Sequence, residues 1–492
     1  MKVLFLYTID DITPGPRPLK TWSSMQIGIS YISSYLKSQG HQTELLVVGS
    51  NYYDDAVKKL EEAVARFSPQ LVLFTCVHSQ YRFVSRLAGL IKSRWPSLYL
   101  VVGGAHPTLR PEEVITGAFD AVCVGEGERP MAELCSQLAS GEAPHGIANL
   151  WIKTAEGGVE ANPTREFMQE LDLLPYPDRE MWQPWIVEQE DDEFTVLGGR
   201  GCPYDCTYCS NHALRKVAKG RYVRTRSAAE IRKEVAFLRE TYRCRKVCFE
   251  VETIACNKKW AIELCRELTE LNATLPEPLS FGAHFRIAPE SVDERLFAAL
   301  QGANFKMMNI GLESGSERIR REVLKRSYSN EDFLKVVALA RRHGLQVFVF
   351  NMIGLPGETP ADHQETLRLN RACQPDGHHT GIFYPYPGTE LYDRCVREGL
   401  VTEVPETRIE RREPIIELPT FSKAQIKRAY VWFNFRVYRG HQPLLPLLVR
   451  TAITWMESSR LTNLLLQSVV RSPLVGLVRL LTGRKKSGEP TP

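Results

Sequence analysis

Short, unbroken apolar runs recur through the first 140 residues: KVLFLY (2–7), QTELLVVG (42–49), PQLVLFTC (69–76), LYLVVGG (98–104) and AVCVGEG (121–127). They do not alternate with polar residues, so each predicts a strand covered on both faces. Between them the spacing turns helical, as in GISYISSYLKSQG (28–40), which ends on a glycine suited to a C-cap. This alternation predicts a doubly wound, Rossmann-like parallel sheet over 1–140, with its ligand beyond the carboxyl ends of the strands. From 141 to 194 the pattern breaks. NLWIKTAEGGVEAN (149–162) predicts a hairpin about Gly157 and Gly158, and LLPYPDR (173–179) a proline-stiffened connector, together a strap between domains.

Alternation resumes over 195–401, with strands at TVLGG, KVCFEV, LSFGAHF, KMMNIGL, QVFVFNMIG and TGIFYPY and helices at 227–242 and 330–344. Six strand–helix units predict a partial (β/α)6 barrel, again with chemistry at the carboxyl ends. A helical extension (402–439) and a tail (440–492) follow. In the tail, Arg450, Thr454 and Glu457 share one helical face, as do Arg460, Asn463, Gln467 and Arg471, leaving broad faces of Leu, Val, Ile and Trp455. Ser472 and Pro473 start a third short helix that Gly483 ends, and the final RKKSGEPTP is too polar to pack.

Composition adds bounds. With 492 residues, 43% hydrophobic and 24% charged, there is material for two or three full cores. A net charge of +4 lacks the basic footprint of a nucleic-acid binder. The tail alone carries seven Lys or Arg against two Glu, which fits either a helical cap on the barrel or a segment that meets a membrane surface or handles lipid. No apolar run reaches 18 residues and the first is too short for a signal peptide, so the expectation is a cytoplasmic protein, with peripheral association at the inner membrane surface through the tail. Twelve cysteines in a reducing compartment point to metal or redox chemistry where they cluster.

They cluster once, in GGRGCPYDCTYCSNH (198–212). A disulfide would leave one thiol of Cys202, Cys206 and Cys209 over. Zinc would need His212 to complete a Cys3His tetrahedron. Three thiolates on one loop also suit three irons of a [4Fe–4S] cube whose fourth iron is open.

CPYDCTYC resembles the CxxxCxxC loop of the radical S-adenosylmethionine (SAM) superfamily, including the aromatic Tyr208 before the third cysteine. MNIGLESGSE (308–317), NMIGLPGET (351–359) and YPYPGTELY (384–392) resemble that family's fourth, fifth and sixth strand segments. The resemblance implies a [4Fe–4S] cluster on Cys202, Cys206 and Cys209, with SAM chelated at the open iron and contacted by Tyr208, Glu252, Arg286, Glu313 and Gly354. One departure is FEVETI (249–254), where relatives commonly carry FxDDxF: Val251 replaces one acid and Glu252 keeps the other.

A doubly wound domain ahead of such a barrel resembles the cobalamin-binding radical SAM enzymes. VVGGAHPT (101–108) and VGEGE (124–128) carry that resemblance, which implies cobalamin contacts at Thr75, His78, Gly103, Gly104, His106, Glu126 and Gly127. The DxHxxG signature, whose His ligates cobalt from below, is absent, and His78 reads as lining. The activity implied is methyl transfer to an unactivated carbon of a small molecule, with the tail suggesting a lipid, isoprenoid or other hydrophobic substrate. Flavodoxin or ferredoxin is the implied reductant. Two other readings stand beside it: a cobalamin-dependent radical cyclase or rearranging enzyme, and a zinc-containing cobalamin sensor without catalysis. Of the remaining histidines, His378 and His379 in PDGHHTGIF read as loop residues, on opposite faces if the segment is extended.

Overall fold

The apolar runs of the N-terminal region form strands β1 (Lys2–Ile9), β2 (Gln42–Gly49), β3 (Leu71–Thr75), β4 (Tyr99–Gly103) and β5 (Ala121–Cys123). The structure is a computed structural model and describes residues 1–10, 17–19, 21–186, 193–288, 291–402, 410–459 and 462. These five strands are parallel, in the order β2-β1-β3-β4-β5. The order reverses between β1 and β3, which creates the crevice where doubly wound sheets bind ligands. Leu4, Leu6, Val72, Phe74, Leu100 and Val102 join one core cluster with residues of the helices Tyr53–Phe67 and Tyr81–Arg94. Val3, Phe5, Leu71 and Val101, pointing the other way, are equally buried, which is why the runs do not alternate.

The hairpin is present as β6 (Leu150–Lys153) and β7 (Val159–Ala161), but it is not a free strap. β6 pairs antiparallel with β5, so the sheet is mixed and seven-stranded rather than wholly parallel. The connector after it is also bound to this region. Ser33 Oγ donates to Asp178 at 2.6 Å, Trp182 Nε1 donates to Ser30 Oγ at 2.8 Å, and Arg179 pairs with the fully buried Glu234 at 2.8 Å.

By packing, the chain divides into two units. The first comprises Met1–Asp205, Cys209–Cys244 and Tyr386–Thr389; the second comprises Cys206–Tyr208, Arg245–Pro385 and the chain from Glu390 on. The first unit therefore reaches beyond the expected boundary at 195. It includes β8 (Glu193–Leu197), a ribbon of β9 (Gly199–Arg200) and β10 (Arg224–Thr225), and the helix Ala228–Tyr242 that carries Glu234.

In the second unit, β11 (Lys246–Glu250), β12 (Ser280–Arg286), β13 (Phe305–Glu313), β14 (Gln346–Ile353) and β15 (Gly377–Ile382) pair in sequence order, all parallel. The helices Lys258–Ala273, Glu294–Gly302, Asn330–Arg342 and Pro360–Cys373 alternate with them. Two of these start in capping boxes, Ser329 with Asp332 and Thr359 with Asp362. β15 begins three residues before the expected Thr380, so His378 and His379 are strand rather than loop residues. The helix Lys423–Tyr438 packs on β15 and on Leu444–Glu457, as a helical cap would. Leu444, Leu445, Leu448 and Trp455 are nonetheless exposed. No helix among the described residues is long and apolar enough to cross a membrane. The expected helical positions Arg460, Asn463, Gln467 and Arg471, and the third helix from Ser472 and Pro473 to Gly483, lie outside the described residues.

Candidate functional site

In the first unit the carboxyl ends of β3 and β4 meet at a point only glycine can occupy. A Cβ on Gly104 would lie 2.8 Å from the Cys76 carbonyl oxygen and 2.9 Å from Thr75 Oγ1, and its φ of +103° is disfavoured for side chains. The chain then enters a short helix, Ala105–Leu109, on which His106 is buried with neither ring nitrogen hydrogen-bonded. Its ring lies 4.8 Å from His78 and 4.8 Å from Tyr81. Burial, with His78 and Arg110 nearby, pushes its pKa down to about 3, so the imidazole is neutral. Thr75, His78, Gly103, Gly104 and His106 thus gather at one end of the sheet.

Glu126 and Gly127 are engaged by other parts of the first unit. Glu126 accepts hydrogen bonds from Arg200 at 3.0 Å, Arg224 at 2.8 Å and the Met168 N–H at 2.8 Å. Burial works against its charge, but the two guanidiniums outweigh it and hold the carboxyl below its usual range. Glu128 takes the other arm of Arg200 at 2.5 Å. A Cβ on Gly127 would lie 2.7 Å from Ile32 Cδ1, so this glycine permits close packing.

Those guanidiniums belong to the ribbon that roots the cysteine loop. Gly201 has φ +86°, and a Cβ there would lie 2.2 Å from the Tyr222 carbonyl oxygen. The glycines of GGRG thus let the two ribbon strands approach just before Cys202. After Cys209, the Asn211 side-chain amide lies 3.6 Å from the Cys209 sulfur as donor, and its oxygen accepts from Tyr222 at 2.6 Å. His212 directs Nδ1 at the Cys209 carbonyl oxygen, 2.5 Å away. Among the described residues no three His, Cys, Asp or Glu converge to hold a single metal ion. The short helix Asn211–Leu214 packs against Ala105–Leu109, and a Cβ on Gly388, in the YPYPGTELY segment, would lie 3.0 Å from Leu109 Cβ. The glycine-lined sheet end, the cysteine-loop root and the Pro-Gly turn are neighbours within one unit.

In the second unit, Tyr208 and Glu313 come together around a residue the sequence did not single out. Tyr208 Oη donates to Glu313 Oε1 at 3.0 Å, and Arg326 Nη1 reaches Glu313 Oε1 at 2.7 Å and Tyr208 Oη at 3.1 Å. Burial opposes the charge of Arg326, yet Tyr208, Tyr328, Glu313 and Cys206 around it raise its pKa well above the ordinary value. Glu313 sits at a register shift of β13 with φ +64°, an unfavourable conformation of the kind that concentrates at functional sites. Arg286 lies opposite Gly311 on the neighbouring strand, and its N–H donates to Thr253 Oγ1 at 3.0 Å. Glu252 is exposed just after β11. Gly354, φ +82°, donates its N–H to Glu358 Oε2 at 2.6 Å. Glu358 is fully buried, also accepts from the Leu355 N–H at 3.0 Å, and burial raises its pKa to about 8.

These features fit the implied cofactors: backbone freed of side chains and a neutral imidazole where a large ligand would lie, cysteines on a glycine-rooted loop, and a polar triad beside Cys206. Comparison with known proteins agrees. Residues 196–369 match the radical SAM superfamily and residues 24–135 the B12 binding domain. The chain is 25% identical over 417 residues to an uncharacterised methyltransferase of Pyrococcus horikoshii, covering 83% of this chain and 88% of that one. It is 23% identical over 375 residues to an anaerobic magnesium-protoporphyrin IX monomethyl ester cyclase of Rubrivivax gelatinosus, covering 74% and 65%. The cobalamin-dependent SAM radical enzyme OxsB, solved with aqua-cobalamin and SAM, shares the fold with a TM-score of 0.68 at 14% identity, over 95% of this chain and 75% of that one. The chain is a radical SAM enzyme with a B12-binding domain, and its cofactors are a [4Fe–4S] cluster, SAM and cobalamin.

Proposed function

We propose that the protein is a cobalamin-dependent C-methyltransferase acting on an unactivated carbon of a hydrophobic small molecule, such as a lipid or isoprenoid. The observation that carries this is the pairing of the two domains in one chain, alongside a methyltransferase-named relative matched over most of its length. Cys202, Cys206 and Cys209 would hold the cluster. Tyr208, Glu313 and Arg326 would fix the polar groups of SAM, with Arg286, Glu252 and the Gly354 turn completing its surroundings. Thr75, Gly103, Gly104, His78 and His106 would border cobalamin, while Glu126 and Gly127 hold that border in place. When bound, the three groups supply a carbon-centred radical and a transferable methyl group. The chain itself positions them. Arg326 orients Glu313 through its 2.7 Å hydrogen bond, and Asn211 offers an N–H to the Cys209 sulfur.

A flavodoxin or ferredoxin would supply electrons. The exposed leucines and Trp455 of Leu444–Glu457, with the basic tail beyond, support peripheral contact with a membrane. The test compares lipid and small-molecule extracts of a deletion strain and its parent for a mass difference of one methylene, then feeds methyl-labelled SAM to the purified enzyme with the candidate. Label in the product supports methyl transfer. SAM consumed with no label in the product favours the cyclase reading, to which the cyclase relative lends weight.

A further inference from the structure

One face of the β12–β15 sheet carries a second polar feature, outside the cofactor contacts proposed above. Along β13, Met307, Asn309, Gly311 and Glu313 are partly exposed while Met308, Ile310 and Leu312 are buried, so the first set faces the open side of the sheet. Across the neighbouring strands that face continues through His284, Phe350 and His379. The Phe350 ring lies 6.4 Å from His284 and 5.5 Å from His379. His378 turns away instead, between Asn434 at 3.1 Å, Thr380 at 3.0 Å and the rings of Phe433 and Tyr438.

Two residues beyond His379, and so on the same face, is Gly381. Here the chain returns as Glu410–Arg412. The Ile382 N–H donates to the Arg411 carbonyl at 2.7 Å, which latches this segment onto β15. The Arg411 side chain lies over Gly381: a Cβ there would be 3.1 Å from Nε and 3.3 Å from Nη2. Among the described residues no carboxylate pairs with it. Burial lowers the His379 pKa, and Arg411 and Arg412 lower it further, so both guanidiniums bear on the imidazole. Lys427 stands behind them, its Nζ 3.3 Å from the Arg412 carbonyl, with burial pushing its pKa down to about 8. Of the nearby carboxylates, Glu313 acts on His379 and Glu413 on Lys427, and Glu457 lies 3.9 Å from Arg412. A guanidinium held over a glycine, beside an imidazole and the ring of Phe350, offers the donors an oxyanion needs next to an apolar wall.

We infer that Arg411, lying over Gly381 beside His379, binds the oxyanion head group of an amphipathic substrate whose apolar part runs along Phe350 and Phe348. This rests on the C-methyltransferase reading and narrows its substrate to an anionic lipid-like molecule, a phosphate or a carboxylate.

The test uses the full-length holoenzyme, loaded anaerobically and saturated with SAM, and measures binding of decyl phosphate, decanoate and decanol by calorimetry. At least one anion should bind about tenfold or more tightly than decanol, as a charge-assisted hydrogen bond predicts, and which one identifies the head group. Arg411→Gln should abolish that preference while leaving decanol binding, iron content and SAM affinity unchanged. Gly381→Val, which displaces the guanidinium, should do the same, and Arg411→Lys should restore part of it. Equal binding of all three probes, a preference that survives Arg411→Gln, or a loss confined to SAM affinity would each overturn the proposal. Because the readout is binding, a retained head-group preference with no methyl label in any product would sink the methyltransferase reading alone.

Discussion

The carboxyl end of the N-terminal sheet and that of the C-terminal one solve ligand binding in opposite ways. At the first, recognition is prepared by removal: Gly103 and Gly104 strip away side chains, and His106 is kept neutral among rings. At the second it is prepared by charge: Tyr208, Glu313 and Arg326 lock around one another beside Cys206. The difference would suit the ligands proposed for the two ends. A broad corrin presents a large face that backbone can line, whereas the amino and carboxylate groups of SAM need fixed partners. The acids near the first site, Glu126 and Glu128, point away into Arg200 and Arg224.

If the two solutions are separable, single changes should disable one cofactor and spare the other. Cys206→Ala should lose its iron and all SAM cleavage yet still take up cobalamin; iron analysis and visible spectra of the reconstituted protein check this, and joint loss of both would break the contrast. Next in size is Glu313→Gln, which leaves the buried Arg326 without its counter-charge at a cost of about 3 kcal/mol, read by chemical denaturation. It should weaken SAM binding with iron and cobalamin contents unchanged. Gly104→Val should cost about 2 kcal/mol through its clash with Cys76 and its φ, and abolish cobalamin uptake while SAM cleavage persists. The smallest effect concerns pH. Glu358 has its pKa raised from 4.5 to about 8 by burial, so between those values the folded protein holds a proton that the unfolded chain releases. Stability should therefore fall as pH rises through that window, by about 1 kcal/mol per pH unit across its middle, and Glu358→Gln should flatten the slope. Thermal unfolding from pH 5 to 8 measures it; identical slopes would place the Gly354 turn under other control.

The strands of the first sheet were legible because burial on both faces leaves unbroken apolar stretches, Val3 to Leu6, Leu45 to Val48, Leu71 to Phe74 and Leu100 to Val102, at their centres. The cysteine loop was legible because its spacing is local. What escaped was whatever depends on a distant partner. β15 hides two histidines in a strand because His378 finds Asn434 on a helix some fifty residues later, which no local pattern announces. The hairpin was foreseen but not its membership of the sheet, since pairing with β5 is decided by tertiary packing. Arg326 follows a short helix in an ordinary basic stretch, and only folding brings it to Tyr208. Arg411 was invisible for the same reason, although Gly381 beneath it is a signal that could have raised the question. Glu126 was expected beside the ligand from VGEGE; its engagement by Arg200 and Arg224, some seventy and a hundred positions on, was not legible because it depends on distant partners.

That carboxylate has one further consequence. Because Glu126 grips both strands of the ribbon that roots the cysteine loop, the turn after β5 and the base of that loop cannot move independently. If receiving a ligand shifts either of them, thermodynamic reciprocity requires the influence to run equally in both directions. The same side chain would then be the point at which the two binding equilibria meet.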